Sequence, residues 1–192
     1  MNYKQALHAK VGWEKHAKPA IKSMLDDIKR GIIVNTEELK SHQDDLKLLK
    51  EAEVKTTDES VRKDICNKIN RSEWIIQHAM LGIKRDKQLA CFLSYSYNGD
   101  LANAVKYFHK FKETSFEWIE DDDKITNTFS LVFNTKEHVR EDAYNQMCKH
   151  CKDDINMAEG VMKDLSFIMS DVKDVLKAGK RMNKRKGKKH RD

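Results

Sequence analysis

Cysteine spacing is the strongest suggestion of chemistry in this chain. Cys148 and Cys151 form a Cys-x-x-Cys pair, the spacing that supplies half of a tetrahedral zinc site. Cys66 and Cys91 could complete such a site, but they fall on a different predicted helix. Residues three positions apart share a helix face whether or not they bind a metal, so this spacing alone does not indicate a zinc site. The favoured interpretation is reduced thiols packed in a helical core, with zinc binding or redox chemistry as the alternatives, and no cofactor is expected.

Motifs that would indicate catalysis are weak or missing. Two Ser-x-x-Lys matches begin at Ser60 and Ser170, but chance produces such matches in a lysine-rich chain. Loops that hold phosphate need closely spaced glycines, and the nearest two glycines here, Gly179 and Gly187, are eight positions apart. None of the eight histidines follows a glutamate by three positions, as a di-iron bundle requires. The sequence therefore predicts a non-enzymatic protein.

Positive charge is concentrated at the C-terminus. The chain has a formal net charge of +6, yet residues 180–192 contain eight basic residues and one acid, so the remainder is close to neutral. Such a run repels itself and has little apolar surface to bury, so it is expected to be disordered until it meets nucleic acid or an acidic protein surface. The predicted partner-binding residues of this basic tail are Lys180, Arg181, Lys184, Arg185, Lys186, Lys188, Lys189 and Arg191.

Composition indicates the fold class. The 192 residues are 39% hydrophobic and 35% charged, with one proline and seven glycines, which leaves few of the turns that β-rich folds need. We expect an all-α, elongated bundle of about five helices, including a very long C-terminal helix, one short strand-like segment and the basic tail. No apolar run is long enough to span a membrane and no signal peptide is recognisable. A cytoplasmic protein with no membrane partner is expected.

Helical periodicity and capping residues divide the chain into five segments. These are an N-terminal helical segment (1–55), a central helical segment (56–120), an acidic turn with an extended linker (121–134), a long C-terminal helix (135–179) and the basic tail (180–192).

Local signals predict where individual helices begin and end. Pro19 predicts a kink or a fresh start, and Gly31 predicts the end of the first helix. Asn35 and Thr56 each begin a capping box, with glutamate three residues later. Asp100, after a glycine, is a favourable N-cap for the most aromatic helix of the chain.

One segment alternates like a strand. Four acids at 120–123 are expected to stop the preceding helix, because negative charge opposes the dipole at a helix C-terminus. Thr126–Phe133 then alternates polar and apolar residues. With no second strand to pair with, it is expected to be a buried linker or to add to the sheet edge of a partner. The predicted contact residues are Phe129, Leu131 and Phe133.

The last predicted helix carries an apolar stripe of unusual length. It extends from Val139 to Val175, longer than shorter helices of the same chain are expected to cover, so self-association through it is predicted. The predicted oligomerisation residues are Val139, Met147, Ile155, Met162, Leu165, Ile168 and Val172.

These traits together resemble the scaffolding and capsid-assembly proteins of tailed phages and their satellites. The resemblance covers architecture and composition, and no motif matches residue by residue. It implies a helical assembly protein that self-associates and docks on a larger acidic partner such as a viral coat protein, in the host cytoplasm or the virion. The alternative is a nucleic-acid-binding or DNA-linked regulatory protein that uses the basic tail.

Overall fold

A computed structural model describes the backbone of residues 1–133 and 137–188, and the side chains of residues 1–120 and 145–181. Within these ranges the chain is helical and contains no strand, which confirms the all-α fold class. Two π-helical turns, Trp13–Ala17 and Ile168–Val172, join α-helices end to end. The α-helices are α1 (Tyr3–Gly12), α2 (Lys18–Lys55), α3 (Glu59–Asn98), α4 (Leu101–Phe133), α5 (Glu137–Phe167) and α6 (Lys173–Lys188).

The helices form four continuous rods that pack as a bundle. The rods comprise residues 3–55, 59–98, 101–133 and 137–188. Successive rods pack against each other, α2 on α3, α3 on α4 and α4 on α5. Short connections between such rods make neighbours antiparallel. The C-terminal α6 and the second π-turn also contact α1, so the last rod returns to the first.

Capping groups define the turns of the bundle. The Asp58 carboxylate accepts hydrogen bonds from the backbone N–H of Ser60 at 2.9 Å and of Val61 at 3.1 Å, so the N-cap of α3 lies two residues beyond the predicted Thr56. Gly99 ends α3 with φ of 73°, the left-handed conformation that glycine adopts without strain. Asp100 accepts from the backbone N–H of the third following residue at 3.2 Å, which confirms the predicted cap of α4.

The core lies where all four rods meet. Phe92 and Phe111 are fully buried, and the Phe92 ring lies 5.7 Å from that of Phe108. The largest fully buried apolar side chains come from every rod: Ile21, Leu89, Phe92, Leu93, Phe111, Leu165 and Val172.

The prediction of about five helices is wrong because two expected breaks do not interrupt the first rod. Helix α2 passes through Gly31 and Asn35 without a turn. A glycine inside a helix costs about 1 kcal/mol, less than nucleating a new helix beyond it. Pro19 lies just after the first π-turn, and the backbone is helical on both sides of it, so the predicted kink or fresh start is replaced by a π-turn within a continuous rod.

The strand-like prediction for Thr126–Phe133 is also wrong, because α4 continues to Phe133. Acids in the middle of a helix oppose only a weak dipole field that falls off within one turn, and adding residues to an existing helix is easy. The side chains of Phe129, Leu131 and Phe133 lie outside the described residues. Their proposed contact by strand addition loses its structural basis.

The C-terminal rod differs from the single very long helix that was predicted. It consists of α5, the second π-turn and α6, and it passes through the expected end at Gly179 to Lys188. Residues 180–188 are therefore helical rather than disordered in the free chain. The physical reason is that a helix already formed and packed on α1 propagates at low cost.

The apolar stripe of this rod is covered by the chain itself, which corrects the expectation that it lies uncovered. Ile155, Leu165, Ile168 and Val172 are buried in the single chain, and Met147 and Met162 are half-buried. Helices α3 and α4 pack on α5, and α1 packs on the second π-turn and on α6, so other parts of the same chain cover the stripe. The side chain of Val139 lies outside the described residues.

Candidate polyanion-binding surface

Helices α1 and α6 pack closely at one end of the bundle. A Cβ atom at Gly179 would overlap the ring of Tyr3, so the absence of a side chain allows this approach. Ala6 is fully buried in the same region. These small residues bring the N-terminal and C-terminal helices of the chain side by side.

This packing places two basic sequences together. Residues 1–18 and 173–188, which we call the basic end, contain twelve Lys and Arg residues and two acids, Glu14 and Asp174. The rest of the chain has 25 basic and 29 acidic residues. The structure therefore has a strongly positive end on an otherwise slightly negative molecule, and the N-terminal helix contributes to it as well as the tail.

A cavity of about 380 Å³ opens at the basic end. Its floor includes the buried Ile168 and Val172, and both π-turns contribute to its wall. Turns of this kind are rare and often occur at functional sites. Five lysines line the cavity: Lys10, Lys18, Lys173, Lys177 and Lys180.

Most of these ammonium groups are available to an external anion. Lys173, Lys177 and Lys180 are exposed and lie on one face of α6, at spacings of four and three residues. Lys18 is the exception, because its Nζ lies 3.1 Å from Glu14 and 5.5 Å from the centre of the Tyr97 ring. A row of lysines at helical spacing can contact successive phosphates of a polyanion.

The predicted tail residues are only partly described. Lys180 and Arg181 are exposed at the surface of α6. Lys184, Arg185, Lys186 and Lys188 lie on the helical backbone of α6, with side chains outside the described residues. Lys189 and Arg191 lie beyond the described range. The sequence analysis did not predict that the lysines of α1 belong to this surface. One signal was available, because no acidic residue precedes Glu14.

The structure does not assemble the four cysteines into a metal site. In the parts of the chain whose side chains are described, no three His, Cys, Asp or Glu side chains are grouped so as to hold a metal ion. The Cys66 thiol instead donates to Glu53 Oε1 at 3.3 Å, and this hydrogen bond raises the pKa of Cys66. Burial raises the pKa of Cys151 to about 11, which disfavours the thiolate that zinc or redox chemistry would use.

A buried arginine forms the second polar site of the molecule, and sequence reasoning missed it. Arg85 is only 3% exposed. Its guanidinium donates to Ser115 Oγ at 3.2 Å, to Asp86 at 2.8 Å and to Asp154. These contacts link α3, α4 and α5.

Aromatic rings enclose the same guanidinium. The Arg85 Cζ atom lies 5.2 Å from the centre of the Phe111 ring and 5.3 Å from that of Trp118. Burial raises the pKa of the Asp86 carboxyl despite the attraction of Arg85. Stacking on aromatic faces and pairing with carboxylates are both typical of arginine in low-dielectric surroundings. We interpret this cluster as a structural link between three helices.

Comparison with protein-family models, with curated protein sequences and with solved structures yields no match for this chain. Among the described residues, none of the helices combines the length and the apolar character needed to cross a membrane. The interpretation of function therefore depends on the chemistry of the surfaces described above.

Proposed function

We propose that this protein is a non-enzymatic helical-bundle protein that binds the phosphate backbone of nucleic acid through its basic end. The observation that carries the proposal is the packing of α1 on α6. The sequences of the basic end contain twelve basic residues and two acids, and Asp171 of the adjoining π-turn adds a third acid. Neutralising phosphates releases condensed counterions, and this provides most of the non-specific affinity of DNA-binding proteins.

The shape of the basic end favours nucleic acid over an acidic protein surface. Its exposed lysines follow a helix, with Lys173 and Lys180 seven residues or about 10 Å apart at 1.5 Å per residue. A linear row matches a continuous phosphate backbone, and the major groove of duplex DNA admits an α-helix. The cavity between α1 and α6 adds further ammonium groups beside that row.

Salt dependence of binding tests the proposal. We would titrate a labelled 20-base-pair duplex with the full-length protein by fluorescence anisotropy between 50 and 200 mM salt. A triple Lys173→Gln, Lys177→Gln, Lys180→Gln variant should reduce the slope of log K against log[salt] by about 3, since each phosphate contact contributes about 0.9.

A matched control removes the same charge elsewhere. Lys29, Lys40 and Lys47 are exposed on α2, and their triple glutamine variant should leave the slope unchanged. An equal loss in both variants would mean that net charge alone, rather than the basic end, drives binding. A wild-type affinity that does not change with salt would contradict the proposal.

A second candidate function is that of a helical assembly protein which self-associates and docks on a larger acidic assembly, such as a viral coat. The observation that favours it is a set of exposed apolar side chains on the hairpin of α2 and α3. Ile33, Leu48 and Val54 are 59%, 62% and 85% exposed. Sedimentation velocity over a hundredfold concentration range tests this function, because assembly through this hairpin requires species larger than the monomer.

A further inference from the structure

A second cavity of about 340 Å³ lies between α2, α3 and α4. It is half enclosed and has mostly apolar walls, with polar groups at a few points of its lining. Ligand sites of small molecules typically combine an apolar cavity of this size with a few convergent polar groups. This cavity is separate from the basic end, since no residue lines both cavities.

The charge of the residues that line this cavity is opposite to that of a neighbouring cavity. Its lining contains the carboxylates of Glu38 and Asp86, the imidazoles of His42 and His78, and neither lysine nor arginine. By contrast, a neighbouring cavity of about 510 Å³ is lined by Lys84, Lys87 and Lys110. The chain has 37 basic residues, yet the side chains of fixed charge that line this cavity are all carboxylates. Such a lining favours a cation.

The buried cluster behind the cavity does not cancel this preference. Arg85 contributes one positive charge, but it pairs with both Asp86 and Asp154. His150 lies 3.6 Å from the carboxylate of Asp154 on the side of α5. One guanidinium therefore faces two carboxylates within the cluster, and Glu38 adds a third carboxylate on α2.

Aromatic side chains give the cavity a preformed wall. Trp74 and Trp118 both line it. The His78 ring stacks on Trp118 at 5.1 Å between centroids. A Cβ at Gly82 would lie 3.5 Å from the indole of Trp118, so the indole packs directly against the backbone of α3. Indole faces attract ammonium ions electrostatically and also pack against apolar groups.

We propose that this cavity is a binding site for a small organic ammonium ion that carries an aromatic or aliphatic group. The ammonium is bound by the carboxylates of Glu38 and Asp86. The carbon skeleton packs against Trp74 and Trp118. This inference is independent of the proposed binding of nucleic acid.

Calorimetric titration of the full-length protein tests the charge preference with two probes of similar size. Phenethylammonium presents a phenyl ring with a positive charge, and phenylacetate presents the same ring with a negative charge. Phenethylammonium should bind with one-to-one stoichiometry at pH 7 and at least tenfold more tightly than phenylacetate. Equal affinities, or no binding of phenethylammonium, would overturn the proposal.

Neighbouring glutamates provide a matched pair of variants. Glu37 and Glu38 are both exposed on α2, but only Glu38 lines the cavity. Glu38→Gln should weaken phenethylammonium binding at least fivefold, and Glu37→Gln should leave it unchanged. An equal effect of both variants would mean that net charge, rather than the cavity, attracts the probe.

A third variant tests the location without changing charge. Ala79 is half-buried in the lining, so Ala79→Leu should fill the cavity and reduce affinity at least tenfold. Thermal unfolding checks that the variant folds, and if it does not, the glutamate pair decides. Unchanged affinity in a folded Ala79→Leu protein would place the binding site elsewhere and overturn the proposal.

Discussion

Arg85 connects three helices through one side chain. It is buried, and its ion pairs with Asp86 and Asp154 hold two carboxylates that are themselves only about a quarter exposed. A buried ion pair contributes little net stability compared with an apolar substitute, but removing one partner leaves an uncompensated charge. The sequence showed only a cation between two other charged residues, and no spacing rule indicates a partner 69 positions away.

We expect Arg85→Met to lower the free energy of unfolding by about 3 kcal/mol, because two carboxylates lose their counter-charge. Lys84→Met is the control, since Lys84 is exposed and its pair with Glu117, at 3.3 Å, is worth less than about 1 kcal/mol. Urea denaturation at pH 7 measures both variants. Equal losses would show that Arg85 is not the link between these helices.

The raised pKa of Asp86 predicts how the free energy of unfolding depends on pH. Burial raises its pKa above the ordinary value of 3.8, so the native state binds this proton more tightly than the unfolded state does. The contribution of this group is therefore most favourable below pH 3.8 and becomes less favourable as the pH rises through the native pKa. Asp86→Asn should remove this dependence. The free energy of unfolding of the variant minus that of wild type should therefore increase as the pH rises from 3.8 through the native pKa of Asp86. Urea denaturation at several pH values measures it, and a constant difference would contradict the expected shift.

Among the secondary-structure elements, the predicted cap at Asp100 is correct, whereas the cap predicted at Asn35 lies inside α2 and the one predicted at Thr56 is displaced to Asp58. Asp100 and the break after Asn98 follow from local chemistry, because a glycine in the left-handed conformation and an aspartate cap need no tertiary partner. Gly31 and the acids at 120–123 were expected to end helices, yet both lie inside them. Whether a helix continues past a weak signal depends on the packing of its neighbours, which periodicity does not reveal. The same limit applies to the basic end, since nothing in the sequence pairs Tyr3 with Gly179.

Two glycines test whether a glycine is required by its backbone conformation or is merely tolerated inside a helix. Gly99 has φ of +73°, and an added Cβ would lie 2.6 Å from Met169 Cε, so Gly99→Ala should destabilise the protein by at least about 1 kcal/mol. Gly160 lies within α5 with open space around it, so Gly160→Ala should stabilise by about 0.5–1 kcal/mol. Thermal and urea unfolding measure both. Destabilisation by Gly160→Ala would mean that the face of α5 at this residue is covered.

For the whole molecule, the central question is which apolar surface is available to another chain. The sequence identified the apolar positions of the C-terminal rod, but it could not show that three other rods cover them. Leu165 is fully buried in the single chain, whereas Val54 is 85% exposed near the end of α2. Substitutions at these two residues therefore test folding and association separately. The sequence analysis had assigned both roles to the stripe of the C-terminal rod.

Leu165→Asp should reduce the free energy of unfolding by about 4 kcal/mol or more, at any protein concentration, because it places a charge in the core. Val54→Asp should leave the unfolding free energy within about 0.5 kcal/mol of wild type, as surface substitutions usually do. If the hairpin of α2 and α3 mediates self-association, Val54→Asp should also shift the sedimentation profile towards monomer. Urea denaturation at two concentrations, combined with sedimentation velocity, measures these effects. A stable Leu165→Asp protein that has lost only its association would place this rod at an interface between chains and contradict the packing described here.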